Sequence, residues 1–529
     1  MNLARSFGSV GGLTLASRIL ALVRDSLQAR YVGANFASDA FLVAFRLPNM
    51  FRAFFAEGAF SSAFIPMFNR KLAQSGGKRE AAFDFAERAL SVLFAFLAVM
   101  TIVMLVAAWP LTALLSGGFH RQHPTHEEFP FALSLSRITI PYLMLICLAS
   151  LLGGILNSLE RFWVNAAAPI LLNIAMIAGL FLFHGTPAQS ARVQAISVPV
   201  GGVLQLAWLF FACRAAGVSL RPRLPRVDGE VRRLMELILP AAIGAGAVQL
   251  NLVVSTALSG YLLGEGSISY IYYADRVNQL PLGMIGIGLG TILLPTISRL
   301  LSGGEDAKAM DTQNRGMELA LFLTLPAMVA LIVAAEPIVR GLFQYGHFTP
   351  EDTVKCSWAL AGFSIGLPSY VLVKVLTPGY YARHDMKTPV RYAVQSVAVN
   401  LIGNLILIPV LARFGYGHVG PPLATALSST TNVWFLYRTL ARRGHFVADH
   451  QLRRRIPRLA IAALLMGLAI FGVDQLLDPW LNGRIWERYL ALVALVGAGI
   501  TVYGLACFLT GAFVLDDVKI LIKRRARQA

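Results

Sequence analysis

The chain has 529 residues, of which 56% are hydrophobic and 14% charged, and its formal net charge is +18. A soluble globular protein carries about 25% charged residues, so a soluble fold is excluded. A nucleic-acid-binding role is excluded with it, because that would need the basic residues gathered on a soluble domain. Apolar runs of about 20 residues without strict alternation argue against a β-barrel and point to an all-α polytopic membrane protein.

The periodicity predicts fourteen hydrophobic segments, at about 8–31, 34–67, 85–109, 131–156, 162–184, 196–214, 232–260, 267–299, 316–340, 352–376, 388–411, 419–440, 457–477 and 487–514. The first does not read as a signal peptide. It is too polar within, and a second segment follows at once. Segment 1 carries Arg18, Arg24 and Asp25, and segment 2 carries Asp39, Arg46, Asn49, Arg52 and Glu57. A charge in hydrocarbon costs about 3 kcal/mol on insertion scales, so these groups are expected to face water, one another or a polar ligand. Arg18 and Asp25 are seven residues apart, as are Asp39 and Arg46, which places each pair about 20° from a common face.

Segments 2 and 8 exceed the roughly 20 residues that a bilayer needs. Each holds proline and glycine, so bent or partly unwound helices lining a cavity are expected. Segment 8 carries Asp275 and Arg276 ahead of Asn278 and Gln279. Over segments 1, 2 and 8 the arginines outnumber the aspartates, and a guanidinium surplus calls for an anion, for which phosphate is the natural match. Segments 11 and 12 bring Asn400, Asn404 and Thr425, oxygen donors that could serve a cation, although neither segment contains a carboxylate.

Other motifs carry little chemistry. His120, His123 and His126 read as part of a solvated outer loop beside Glu127 and Glu128. Cys147, Cys213, Cys356 and Cys507 are isolated, so neither a metal site nor a disulfide framework is expected. No nucleotide motif or catalytic set is present, which favours a secondary transporter without cofactor over an enzyme.

Lysine and arginine crowd the loops around 70–79, 214–233, 383–391 and 438–458 and the tail at 519–527, and are sparse in the alternate loops. By the positive-inside rule both termini are expected in the cytoplasm. The basic 438–458 loop and tail would also meet anionic membrane lipids. A repeat is visible as well: Pro66 and Arg70 recur as Pro295 and Arg299, and Asn173 as Asn400. It divides the chain into 1–225 and 226–445, six segments each and running in parallel, with an added pair of segments and a basic tail at 446–529. Two such halves suit a transporter with a midline cavity.

Three stretches carry a resemblance. They are SRILALVRDSLQARYVGAN at Ser17–Asn35, DAFLVAFRLPNMFRAFFAEGAFSSAFIP at Asp39–Pro66 and YYADRVNQLPLGMIGIGLGTILLP at Tyr272–Pro295. With them the chain resembles the MurJ (MviN) family of lipid II flippases, in the multidrug/oligosaccharidyl-lipid/polysaccharide exporter superfamily. The resemblance implies two six-helix lobes and two extra C-terminal helices that wall a groove for the lipid tail. It implies alternating access in the bacterial cytoplasmic membrane. The substrate would be undecaprenyl-diphosphate carrying a disaccharide-pentapeptide. Arg18, Arg24, Arg52 and Arg276 match the family's central arginines, and Asp25, Asp39 and Asn49 match neighbouring polar positions. Some relatives bind sodium through a C-lobe acid where Asn404 stands here. The implied molecule is a monomer, with proteins of cell-wall synthesis as further partners. The alternatives are an exporter of drugs or of another lipid-linked oligosaccharide, and a non-transporting cell-wall scaffold.

Overall fold

The computed structural model describes residues 3–56, 59–74, 80–116, 128–221, 223–226 and 228–512, with side chains for all of these except 3–9, 51–56, 59, 61–62, 239–252, 287 and 291. Among the described residues the chain is helical throughout its regular structure, with no strand. Hydrocarbon cannot satisfy a backbone N–H or C=O, and a helix satisfies its own. Among the described residues ten helical stretches are long and apolar enough to cross a membrane by length and composition. The chain gathers into two compact units, Met1–Ser269 with Tyr345–Thr349, and Tyr270–Gln344 with Pro350–Ala529.

The first unit contains α1 (Leu3–Tyr31), α2 (Phe36–Ala56), α3 (Ala59–Gln74), α4 (Glu80–Val106), α5 (Ala108–Ser116), α6 (Glu128–Thr139), α7 (Tyr142–Ser158), α8 (Phe162–Phe183), α9 (Pro187–Ala215) and α10 (Gly229–Leu262). α8 and α9 pack as a hairpin, with α1 on α8 and α7 on α9. α2 lies on α6 and α7, and α10 on α3 and α5. Lipid tails are as apolar as leucine, so such contacts hold by close packing and interhelical hydrogen bonds rather than by exclusion of water. Accordingly, Gln205 Nε2 donates to Ala168 O at 3.1 Å and Gln194 Nε2 to Met176 O at 2.9 Å, tying α9 to α8. Phe60, Phe64 and Phe68 on α3 stack in sequence, and Phe85 on α4 stacks on Phe64. Where chain ends meet water, ions take over: Arg88 on α4 pairs with Asp228 and Glu230 at the start of α10, and Arg223 with Glu87 at 2.8 Å.

The second unit contains most of α11 (Ser267–Ser302), then α12 (Asp306–Val333), α13 (Ala335–Phe343), α14 (Pro350–Ile365), α15 (Leu367–Tyr381), α16 (Lys387–Ala412), a 3-10 turn (Gly417–Val419), α17 (Gly420–Arg442), α18 (His450–Leu481) and α19 (Ile485–Leu509). One apolar cluster joins Leu289, Leu293 and Ile297 of α11 to Val371, Val375 and Leu376 of α15 and Leu436 and Leu440 of α17. Another joins α12 to the α18–α19 hairpin through Leu459, Met466, Ile470 and Leu495. Tyr503 Oη on α19 donates to Phe322 O on α12 at 2.7 Å. Buried Glu318 on α12 receives Arg315 and, from α18, Arg455.

Several expected segments are divided differently. Segment 8 is not unwound: α11 runs unbroken with Pro281 and Pro295 inside it. Each proline removes one donor, and the helix continues past both although Pro281 is only half-buried and Pro295 is exposed. Segments 4 and 10 do break, between α6 and α7 at Ile140–Pro141 and between α14 and α15 at Gly366, two residues before Pro368, although Pro141 and Gly366 keep right-handed helical angles. Segment 2 becomes α2 and α3, with residues 57–58 outside the described set. The histidine-bearing loop 117–127, Glu57 and the basic tail from 513 onward also fall outside it.

Candidate functional site

In the first unit the polar residues of α1 and α2 that share a face at seven-residue spacing take other partners than one another. Asp25 takes Arg24, not Arg18: Arg24 Nε and Nη2 donate to Asp25 Oδ1 at 3.0 and 2.7 Å. Both residues are buried, at 6% and 1% exposure. Consecutive helix residues point apart, and the long arginine stem makes up the difference. Arg24 Nη1 also donates to Asn173 Oδ1 on α8 at 3.1 Å, and Asn173 Nδ2 returns a bond to Ser17 O at 3.1 Å. The group locks α1 to α8. Arg18, six residues before Arg24, is half-buried and makes no hydrogen bond or ion pair with the described residues.

Asp39 and Arg46 likewise part company. Asp39, 2% exposed, accepts from Gly266 N at 2.8 Å, Ser269 N at 2.8 Å and Ser269 Oγ at 2.6 Å. Its carboxylate thus caps the first turn of α11, where the helix dipole and unmet N–H groups favour a negative charge. Arg46 donates through Nη2 to Thr256 Oγ1 of α10. Asn49 is half-buried on α2, and the Arg52 side chain lies outside the described set.

The same end of α2 carries a clasp. Asn35 caps the helix by accepting from Ala37 N at 2.9 Å, and Phe36 N donates to Glu265 Oε1 at 2.8 Å. Segment Tyr345–Thr349 packs on the end of α1, where His347 N donates to Arg30 O at 2.9 Å. Gly33 and Gly346 make this possible. Both have positive φ, and a Cβ on Gly33 would stand 2.6 Å from His347 O while one on Gly346 would stand 2.2 Å from Arg30 O.

In the second unit α11 carries a polar stripe. Asp275 accepts from Gln279 one turn on. The Arg276 guanidinium lies over the Tyr272 ring, 4.7 Å from its centroid, a cation–π contact that sets the arginine's direction while leaving its fork of donors at the edge. Further along, α11 meets Lys374 of α15: a Cβ on Gly286 would lie 2.9 Å from Lys374 Cδ and 3.0 Å from Nζ. Asn400, Asn404 and Thr425 are brought together between α16 and α17. Asn400 Nδ2 donates to Thr425 Oγ1 at 3.2 Å, Asn404 Nδ2 to Asn400 Oδ1 at 2.7 Å, and Thr425 Oγ1 to Pro421 O at 2.9 Å. These bonds make the trio a link between helices. Among the described residues no group of three or more His, Cys, Asp or Glu could hold a metal.

Sequence reasoning passed over three participants. Asn173 was read as a marker of the repeat, yet it completes the Arg24 group. Thr256 gives no signal in the sequence. Lys374 gives a clear one, since a lone lysine inside an apolar span is a site candidate by default.

Both units carry arginines whose planar donors fit phosphate oxygens. A family model described as lipid II flippase MurJ matches residues 28–491. The chain is 39% identical over 532 residues to the probable lipid II flippase MurJ of Rhizobium tropici, covering 99% of this chain and 97% of that protein. It is 34% identical over 471 residues to the lipid II flippase MurJ of Burkholderia cenocepacia, covering 88% and 89% of the two. Among solved structures it is similar to a lipid II flippase MurJ in an inward closed conformation, at 26% identity and a TM-score of 0.77, over 94% of this chain and 98% of that one. A multidrug resistance MATE family transporter of the MOP superfamily, in an inward-facing conformation, shares the fold at 15% identity and a TM-score of 0.65, over 82% of this chain and 98% of that one.

Proposed function

Because this chain belongs to the MurJ family of lipid II flippases, we propose that it carries lipid II, the diphosphate-linked precursor of peptidoglycan, from the inner to the outer leaflet of the bacterial cytoplasmic membrane. The observation that carries this reading is the set of arginines on membrane helices: Arg18, Arg24 and Arg46 in the first unit and Arg276 in the second. The head group is too polar to cross hydrocarbon alone. Guanidinium groups and amides replace its water shell while the undecaprenyl tail stays in lipid. The protein is a transporter, and the work it does is desolvation and release rather than bond making.

In this reading the first contact falls to Arg18, which has no protein partner among the described residues, with Asn49 and Arg52 contributing further donors along α2. Arg24 joins when phosphate displaces Asp25 from its guanidinium, and Asp25 returns as the stand-in anion once the substrate leaves. Asp275 and Gln279 steer Arg276. Asp39 holds the start of α11 in place.

The reading includes fourteen spans with both termini in the cytoplasm, supported by the uneven placement of lysine and arginine in the loops. It also includes a six-span repeat over 1–225 and 226–445, supported by the recurrence of Pro66 and Arg70 as Pro295 and Arg299, and a monomeric working unit. The cycle is alternating access. A negative-inside potential draws the emptied, net-positive protein groups back toward the cytoplasm.

The test is translocation of a labelled lipid II head group in vesicles holding the purified protein. Head groups should become accessible on the far side with the wild-type chain, and slowly or not at all with Arg18→Ala. Equal rates with and without protein would refute the reading.

A further inference from the structure

Lys374 has no part in the arginine set, yet it is placed with care. It lies inside the apolar stretch Pro350–Tyr381, beside the fully buried Val371, Val375 and Leu376. A lysine inside an apolar membrane helix is a site candidate by default. The end of its side chain lies against α11 at Gly286, where a Cβ would stand 2.9 Å from Cδ and 3.0 Å from Nζ. In a straight helix Gly286 is eleven residues from Asp275 and seven from Gln279, within about 20° of each. The ammonium therefore lies on the same stripe of α11 that carries the polar residues around Arg276.

Distance separates the two cations. The Arg276 guanidinium is folded back over Tyr272, and from Tyr272 to Gly286 is fourteen residues, roughly 21 Å of helix. A diphosphate spans only a few ångströms and cannot occupy both positions. A second anion on the same substrate can. In a lipid-linked disaccharide-pentapeptide the remaining anions are carboxylates of the peptide. The residue types fit this division: arginine offers a planar fork suited to phosphate, whereas lysine is a compact point charge on a flexible stem.

We propose that Lys374 is a specificity-determining residue that receives a carboxylate of the substrate's peptide stem, while the arginines hold the diphosphate. The inference rests on the lipid II reading above. It assigns the peptide's charge to α15 and the Gly286 position, so the protein distinguishes a peptide-bearing head from a bare sugar head.

The experiment uses the full chain in nanodiscs of neutral phospholipid. Affinity is measured for the undecaprenyl-diphosphate disaccharide with its pentapeptide and for the same lipid without peptide. The wild-type chain should prefer the peptide-bearing lipid by about tenfold, the size of one charge-assisted contact. Lys374→Met should bind both lipids alike, with its affinity for the peptide-free lipid unchanged, and Lys374→Arg should keep most of the preference. The inference is overturned if Lys374→Met keeps the preference, if it loses affinity for both lipids equally, or if the wild-type chain shows no preference. Failure of the wild-type chain to bind either lipid would instead overturn the flippase reading itself.

Discussion

Arg24 and Arg276 look alike in the sequence, each an arginine beside an aspartate inside an apolar run, and the two units use them differently. On α1, Arg24 is buried and bound across to α8 by Asp25 and Asn173. On α11, Arg276 lies over an aromatic ring of its own helix, and Asp275 is engaged with Gln279. One arginine has an internal anion and joins two helices. The other lies over an aromatic ring of its own helix. Charge count alone does not distinguish these two settings.

The sharpest way to break this contrast is to remove Arg24. Arg24→Ala leaves Asp25 buried without its partner, a loss of about 3–5 kcal/mol for such pairs. The apparent melting temperature in detergent should fall steeply, along with transport. The double variant Arg24→Leu, Asp25→Leu should recover most of the melting temperature and none of the transport. Recovery of both would make the pair purely structural.

Arg276→Ala comes next. It should cut head-group translocation about 100-fold, the scale for losing a desolvated charge contact, with little change in melting temperature. A large stability loss would place Arg276 in the same class as Arg24.

Smaller effects belong to groups that the account treats as structural. Asp39→Ala removes the cap of α11 and should cost about 1 kcal/mol, within the usual range for N-caps. Gly346→Ala should loosen the clasp at the end of α1 and speed hydrogen exchange at the His347 amide, which donates to Arg30 O. Unchanged exchange would show that the segment does not depend on that glycine.

The smallest effect concerns Asp385, in the loop between α15 and α16. Partial burial pushes its carboxyl up, but the Thr388 hydroxyl and the Arg443 guanidinium outweigh this and hold it at about 2. The folded value lies below the ordinary 3.8, so the stabilisation is complete above that value and fades as pH falls through about 2. Hydrogen exchange in residues 382–388 should quicken between pH 4 and pH 2 in the wild-type chain and be indifferent to pH in Asp385→Asn, apart from the intrinsic rate.

Much of this was legible from residues alone. The all-helical class and the apolar runs follow from composition and period, because hydrocarbon demands the helix. The arginines of α1, α2 and α11 stood out because each is expensive where it sits. Pairing was not legible. The seven-residue spacing put Arg18 with Asp25 and Asp39 with Arg46. The structure gives Asp25 to Arg24, and Asp39 to backbone N–H groups more than two hundred residues away in sequence. A helical wheel reports faces, whereas the partner is chosen by side-chain reach and by which orphan donors lie nearby. Lys374 was legible and was passed over because it stood alone, without a neighbouring acid to mark it. The interruptions near Pro141 and Pro368 and the continuity of α11 through Pro281 and Pro295 were not legible, since a proline in these helices goes with a break in one place and with an unbroken helix in another.

The central claim is that these guanidinium groups receive a lipid-linked diphosphate. The most direct measurement is the affinity of the purified chain for lipid II against undecaprenyl monophosphate, repeated with Arg18→Ala and Arg276→Ala. The account predicts a clear preference for the diphosphate-linked lipid in the wild-type chain and its loss in both variants. Equal binding of the two lipids, or a preference that survives both substitutions, would contradict it.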